Sequence, residues 1–277
     1  MSVDRTSVTR RLASRGGEPA EDTVAVEEPL EIRVAGETVA VTMRTPGADA
    51  ELALGFLFAE GVLRGLDDVG QVFHCGRSDD EAYGNAIEVT PAPGAHAVLK
   101  RVDAARRGTL TTSACGICGR QRIDDLIEQC GPVPAYEALP RELLARAPGL
   151  LRAVQPTFDV TGGVHAAAVL SRDGAVLASA EDVGRHNAVD KVVGTMLLAR
   201  RVPATRTAGG PEVLVVSGRA SFEIVQKAAV ARLAAVVSVS AASSLAIDLA
   251  GRSGLVLGAF ARDGAVQLYA GTDRVAG

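Results

Sequence analysis

Hydrophobic and polar positions follow two different patterns along this chain, and the pattern of the last third is the clearer one. Short runs of valine, leucine and alanine are separated there by segments whose apolar residues recur every three or four positions. The runs predict buried strands and the segments predict helices: strands over 213–217, 235–239, 255–259 and 265–270, and helices over 221–233 and 243–250. Because continuous apolar strands need cover on both faces, this order predicts a three-layer α/β domain with a largely parallel centre.

The first hundred residues show a weaker alternation of single apolar and polar positions, which is typical of half-buried strands. This alternation predicts short strands over 23–26, 30–34, 38–44, 69–75 and 86–89. Asp49 suits the N-cap of an apolar helix over 50–60, which Gly61 would end. We therefore predict a small N-terminal α+β domain over 22–105, preceded by a flexible tail over 1–21.

The middle of the chain mixes both patterns. A hairpin is predicted where the apolar segments 164–170 and 175–179 flank the turn 172–174, and the Pro-rich segment 133–140 predicts a loop. Helical spacing predicts three further helices, over 120–129, 143–151 and 187–200. Together with the last third, this part forms a second predicted domain over 106–277, so the fold class is α/β (α+β overall).

Composition narrows the class of protein. The chain has 277 residues, of which 47% are hydrophobic, and a formal net charge of −4 at pH 7. This apolar content excludes disorder over most of the chain, and the charge balance argues against a nucleic-acid-binding protein. The first residues lack the apolar segment of an export signal, and no run of about 20 apolar residues predicts a membrane span. We therefore expect a cytoplasmic protein without a membrane or nucleic-acid partner.

Four cysteines are too few for a disulfide scaffold in a chain of this length, and two of them form the strongest local motif. Cys115 and Cys118 stand in a glycine-containing loop that runs into the helix predicted from Arg120. A helix N-terminus and neighbouring arginines favour the thiolate, whereas an ordinary cysteine is only about 3% ionised at pH 7. Cys115 is the better candidate nucleophile and Cys118 a second thiol, while Cys75 and Cys130 fit ordinary small apolar residues.

The residues alone leave several functions possible for a Cys-x-x-Cys pair. A structural zinc site needs four ligands, which Cys75 or Cys130 with a histidine would have to complete, but no second pair at zinc spacing exists. A zinc nucleobase deaminase would add His-x-Glu, which none of the four histidines forms. A thioredoxin-like enzyme would carry the motif after its first strand and not in mid-chain. Thiol chemistry that carries sulfur is the remaining interpretation, and it needs no zinc.

A very polar segment over 180–191 lies between an apolar strand and an apolar helix. Its plain interpretation is a solvated turn with helix capping. Its functional interpretation is proton transfer by His186, with Asp182 or Asp190 orienting the imidazole.

Two further turns follow predicted strands. The turn over 217–221 carries Arg219 and offers amides and a guanidinium to a phosphate, although Ser-Gly-Arg turns are common. The turn over 258–265 carries Arg262 and is first of all a hairpin turn. Its position at the carboxyl end of a strand makes ligand contact possible.

Seven stretches of this chain match, in the same order, the motifs of one known protein family, and the resemblance covers residues 22–275. They lie at 43–47, 54–61, 113–119, 158–165, 181–191, 217–227 and 259–262, with Tyr269 beyond them. In these stretches the chain resembles the formate dehydrogenase accessory sulfurtransferase family, FdhD/NarQ. The resemblance implies a cytidine-deaminase-like fold with a smaller N-terminal domain, and a homodimer.

The resemblance also implies a sulfur carrier. Such proteins accept persulfide sulfur from a cysteine desulfurase and pass it to the molybdenum cofactor, Mo-bis(molybdopterin guanine dinucleotide), before its insertion into formate dehydrogenase. By motif position the persulfide cysteine would be Cys115 and the second loop cysteine Cys118. The cofactor-binding segment would fall on Phe260, Ala261, Arg262, Asp263, Gly264 and Ala265. The alternative is a chaperone that binds and delivers the cofactor without carrying sulfur.

Overall fold

The structure, a computed structural model, describes residues 8–15, 18–76, 83–109, 132–205 and 210–277. These ranges contain seven α-helices: α1 (Asp49–Ala59), α2 (Ala97–Thr109), α3 (Arg141–Arg152), α4 (Pro156–Thr161), α5 (Arg185–Leu198), α6 (Phe222–Val230) and α7 (Ser244–Ser253). They also contain fourteen strands: β1 (Val8–Arg15), β2 (Glu18–Ala25), β3 (Glu28–Val34), β4 (Glu37–Arg44), β5 (Val69–His74), β6 (Ala86–Pro91), β7 (Leu139–Pro140), β8 (His165–Ser171), β9 (Val176–Asp182), β10 (Pro211–Val216), β11 (Ala235–Ser238), β12 (Val256–Arg262), β13 (Ala265–Ala270) and β14 (Val275–Ala276).

A six-stranded sheet with the order β13-β12-β11-β10-β8-β9 forms the centre of the fold. Strands β10, β11 and β12 run parallel, and the outer strands pair antiparallel. Alternate residues of β10 enter different cores: Val213 and Val215 pack with α3, while Leu214 and Val216 pack with α5, α6 and α7. The predicted three-layer α/β arrangement with a parallel centre is therefore confirmed.

A second sheet, with the order β4-β3-β6-β5, comes from the N-terminal part of the chain. Helix α1 lies between this sheet and α5, and glycines let the backbones of α1 and α5 touch. A Cβ at Gly55 would lie 1.9 Å from the carbonyl oxygen of Asp190, and a Cβ at Gly194 would lie 1.9 Å from that of Glu51. Only glycine fits at such a distance, so the crossing fixes how the N-terminal sheet is held against the central one.

Three local predictions differ from the structure. Strands β1 and β2 form an antiparallel hairpin where a flexible tail was expected, because mostly polar side chains along both strands hide the alternation that usually marks a strand. Asp49 does not cap α1: Ala48 occupies the N-cap position with φ 53°, and the Asp49 carboxylate binds Arg44 instead. Helix α5 begins at Arg185, two residues before the predicted start.

The helix predicted over 120–129 and the cysteines Cys115, Cys118 and Cys130 lie outside the described residues. The domain division predicted after residue 105 falls inside α2, and the domain boundaries stay a prediction. Among the helices that the structure describes, none combines the length and the apolar character needed to cross a membrane.

Candidate functional site

The loops that follow β10, β11 and β12 meet the start of β8 and the end of β9 at one edge of the central sheet. A cavity of about 700 Å³ opens between this edge and helices α3 and α4. Its polar and aromatic lining comes from separate parts of the chain: Gln155, Phe158, His165, Ser217, Arg262 and Asp263. Val183 also lines the cavity, so four of the matching sequence stretches contribute to one concave site, as ligand sites at the strand ends of α/β folds do.

The hairpin turn between β12 and β13 carries the segment expected to bind the cofactor. Phe260 has a left-handed backbone (φ 48°), which is rare for a bulky residue, and its amide donates to the Ser240 carbonyl oxygen at 3.0 Å. The Phe260 side chain is nevertheless 40% exposed, so its aromatic ring is accessible at the surface although its backbone is strained. Asp263 (φ 52°) and Gly264 (φ 75°) form the two-residue turn itself, which confirms the predicted hairpin.

Arg262 stands between this turn and the cavity. Ala261, its neighbour, is fully buried in the core with α3, which anchors the strand. The Arg262 guanidinium is exposed and forms no ion pair with any residue that the structure describes. Among the described residues it is therefore an unpaired cation at the mouth of the cavity, suited to an anion such as a phosphate.

Asp182 holds the turn at the end of β9. Its fully buried carboxylate accepts hydrogen bonds from the amides of Thr45 (3.1 Å) and Gly184 (2.8 Å) and from Asn187 Nδ2 (3.0 Å). Lys191 Nζ lies 2.8 Å from the same carboxylate. Since the charge is paired and the oxygens are satisfied, the turn is tied firmly to the end of β4 in the N-terminal sheet.

His186 is oriented by neighbours other than those expected. Its Nε2 lies 3.3 Å from Ser221 Oγ and 3.8 Å from Glu223 Oε2. The expectation that Asp182 or Asp190 orients this imidazole is wrong, because buried lysines take both of those carboxylates. Ser221 occupies the N-cap position of α6, yet its side chain makes no cap hydrogen bond and faces the histidine.

Two histidines at this edge are held neutral. Burial and the nearby Arg185 lower the pKa of His186 to about 4, and the same two causes lower the pKa of His165 below its usual 6.5. A neutral imidazole offers one donor and one acceptor nitrogen. The ring of His165, which lines the cavity, forms no hydrogen bond within the described ranges, and Arg185 Nε is likewise buried there without a partner.

The turn over 217–221 is close-packed and not an open phosphate loop. Ser217 Oγ accepts the Ala166 amide at 2.9 Å, and a Cβ at Gly218 would lie 3.3 Å from atoms of Arg185 and His165. Arg219, the expected phosphate ligand of this turn, is exposed and does not line the cavity. The turn therefore contributes Ser217 and a close approach of the backbone, whereas the guanidinium at the cavity mouth comes from Arg262.

Sequence reasoning missed Gln155. It is 5% exposed, it lines the cavity, and its side-chain amide forms no hydrogen bond with the described part of the chain. A single glutamine before Pro156, between two helical segments, carries no pattern that distinguishes it from a surface residue. Only its burial in the folded chain reveals it.

Among the four cysteines the structure describes Cys75 alone, a half-buried free thiol. Burial and the nearby Glu88 raise the pKa of this thiol, so it stays protonated, as fits a structural cysteine. Cys115 and Cys118, expected to carry sulfur, lie outside the described residues. In the ranges that are described, no group of three or more histidine, cysteine or acidic side chains could hold a metal ion.

Comparison with known proteins decides the family. The model of the FdhD/NarQ family matches residues 25–276, nearly the whole chain. The chain belongs to the FdhD/NarQ family. This confirms the resemblance found in the sequence.

Similar FdhD/NarQ proteins cover the chain almost from end to end. The sulfur carrier protein FdhD of Anaeromyxobacter dehalogenans strain 2CP-C is 54% identical over 270 residues, 97% of this chain and 94% of that protein. The sulfur carrier protein FdhD of Streptomyces avermitilis is 46% identical over 264 residues, 92% of this chain and 89% of that protein. A crystal structure from Desulfotalea psychrophila, named as a candidate formate dehydrogenase accessory protein, has a TM-score of 0.72 at 23% identity and covers 97% of this chain and 98% of its own. It shows the same fold.

Proposed function

We propose that this FdhD/NarQ protein carries sulfur on Cys115 and delivers it to Mo-bis(molybdopterin guanine dinucleotide), its cargo, before formate dehydrogenase takes up that cofactor. The Cys115 thiolate attacks the outer sulfur of a cysteine desulfurase persulfide. A new S–S bond forms on Cys115, the old S–S bond breaks, and the desulfurase cysteine leaves as a thiolate. By this step the protein acts as a sulfurtransferase. It works in the cytoplasm and as a homodimer.

Release of the sulfur as sulfide needs two electrons. A thiolate that attacks the inner sulfur of the Cys115 persulfide supplies them, because the outer sulfur leaves as sulfide and a disulfide forms. Cys118, three residues along the chain, is the thiol we assign to this step. The sulfide then becomes a ligand of the molybdenum in the cargo.

One observation supports the binding of the cargo more than any other. The turn over 260–265 meets His165 and Ser217 at a single cavity, and the guanidinium of Arg262 is left without a carboxylate partner in the described structure. A dinucleotide cofactor carries phosphates, which a free arginine binds well, and planar rings, which fit a partly apolar cavity. The two relatives that match most of this chain, from Anaeromyxobacter dehalogenans and Streptomyces avermitilis, are named as sulfur carriers.

The experiment follows one added sulfur atom. The protein is incubated with a cysteine desulfurase and cysteine, its intact mass is measured, and the added sulfur is mapped to a peptide. We expect the sulfur on Cys115. The Cys115→Ala variant should stay unmodified and fail to restore formate dehydrogenase activity in a strain that lacks the native protein, whereas the matched control Cys75→Ala should behave as wild type.

A chaperone that binds and delivers the cofactor without carrying sulfur is the second candidate. It is favoured by the cavity, whose described lining needs no thiol. Full complementation by Cys115→Ser would support the chaperone and overturn the sulfur carrier.

A further inference from the structure

Two neutral side chains, the buried Gln155 and the half-buried His165, line the cavity and form no side-chain hydrogen bond within the described structure. Gln155 is only 5% exposed, and its side-chain amide forms no hydrogen bond with any described residue. His165 faces the same cavity with an uncharged ring that is also unpartnered there. Because neither side chain has a partner among the described residues, its donor and acceptor atoms are available to a ligand bound in the cavity.

The chemistry of these groups selects the ligand. A carboxamide offers a donor and an acceptor side by side, and so matches a heterocycle edge on which an N–H and a carbonyl oxygen are adjacent. It does not match a phosphate, which the charged Arg262 suits better. Phe158 lines the same cavity and is 36% exposed. Arg152 Cζ lies 5.2 Å from the centre of its ring. The ring therefore offers an aromatic surface to a planar ring of a ligand.

We propose that Gln155 is a specificity-determining residue that reads the 2-amino-4-oxopyrimidine edge of a planar ring bound in this cavity. The inference rests on the proposed function, because the proposed cargo carries this edge twice, in its guanine and in its pterin. The Gln155 carbonyl oxygen accepts from the ring N–H, and its amide nitrogen donates to the ring oxygen. Phe158 packs against the ring, and Arg262 is left for the phosphates.

The test measures binding of small probes to the full-length protein by calorimetry. Guanosine diphosphate and a pterin that lacks a phosphate represent the two sources of the edge, and adenosine diphosphate measures binding through the sugar and diphosphate alone. For Gln155→Leu we expect at least roughly tenfold weaker binding of whichever edge-bearing probe the wild type binds, since tenfold corresponds to about one strong hydrogen bond. Binding of adenosine diphosphate should change little.

A second variant keeps the proposal testable if the leucine disturbs packing. Gln155→Glu retains the acceptor for the ring N–H and 2-amino groups, so it should bind the edge-bearing probe more tightly than Gln155→Leu does. The matched control Gln71→Leu, on an exposed position of β5, should bind every probe as the wild type does.

Three outcomes would overturn the proposal: equal binding of the edge-bearing probes by Gln155→Leu and wild type, an equal loss for adenosine diphosphate, or no binding of either edge-bearing probe by the wild type. Persulfide loading of Cys115 is measured on the same variants. Loading that survives in Gln155→Leu separates a failure of this inference from a failure of sulfur transfer.

Discussion

Lys227 Nζ donates a 2.7 Å hydrogen bond to Oδ1 of Asp190, and both side chains are buried where α6 packs against α5. Lys227 also lies 5.7 Å from the centre of the Phe56 ring on α1. The pair therefore ties three helices together behind the cavity edge. Burial raises the pKa of Asp190 to about 6, so the carboxylate depends on the lysine to remain charged at neutral pH.

Removal of the lysine charge should destabilise the protein. Lys227→Met leaves the Asp190 carboxylate buried without its cation, which typically costs about 3–5 kcal/mol of the free energy of unfolding. The loss should be greatest at pH 8 and smaller at pH 5, where the carboxyl group can take up a proton. Urea unfolding at the two pH values measures it.

Two control variants accompany this experiment. The double variant Lys227→Met/Asp190→Asn should recover much of the loss, because no unpaired charge remains. Arg200→Met breaks an exposed ion pair with Asp67 and should change stability little. Equal stability of Lys227→Met and wild type at pH 8 would contradict the expected role of the pair.

His186 should make the protein less stable in mild acid. Its pKa is about 4 in the folded state and ordinarily 6.5, so the unfolded chain binds more protons between these values. The stability that the neutral imidazole contributes is therefore fully present above pH 6.5 and is lost as the pH falls from 6.5 towards 4. We expect His186→Gln to flatten this part of the stability profile, measured by urea unfolding from pH 4 to pH 7.5.

Asp190 acts in the opposite direction over the same range. Because its pKa is raised from 3.8 to about 6, its contribution to stability falls as the pH rises between those values. The difference between the His186→Gln and wild-type profiles removes the contribution of Asp190, which both proteins share. Parallel profiles of the two proteins would refute the assignment to His186.

Arg262 should matter for the cargo and not for sulfur loading. Arg262→Ala removes the guanidinium at the cavity mouth, which has no partner among the described residues. Loss of one charge-assisted hydrogen bond should weaken binding of guanosine diphosphate by about tenfold or more. Calorimetry measures the affinity, and intact mass after desulfurase treatment should still show persulfide on Cys115. Arg64→Ala, at an exposed position away from the cavity lining, is the control. An unchanged affinity of Arg262→Ala would remove Arg262 from the binding site.

The amino-acid sequence by itself determined the elements and the layers around the central sheet, although not the hairpin of β1 and β2. The runs 213–216 and 234–237 are apolar at every position, and such runs are stable only as strands covered on both faces. The hairpin at Asp263-Gly264 is equally local, since both residues tolerate a positive φ. These features depend on neighbours within a few positions, which is the information that periodicity carries.

Only the tertiary structure decided which polar residues meet. The sequence made Asp182 a candidate to orient His186. In the folded chain its carboxylate pairs with Lys191, and the imidazole of His186 contacts Ser221 instead. Gln155 became a candidate binding residue because folding buries it at the wall of the cavity. Such pairings join residues far apart in the chain, and they are fixed by the burial of each charge and by close backbone contacts such as that of Gly55 with Asp190. Burial and long-range contact have no periodic signal along a sequence, and so these relationships appear only in the folded chain.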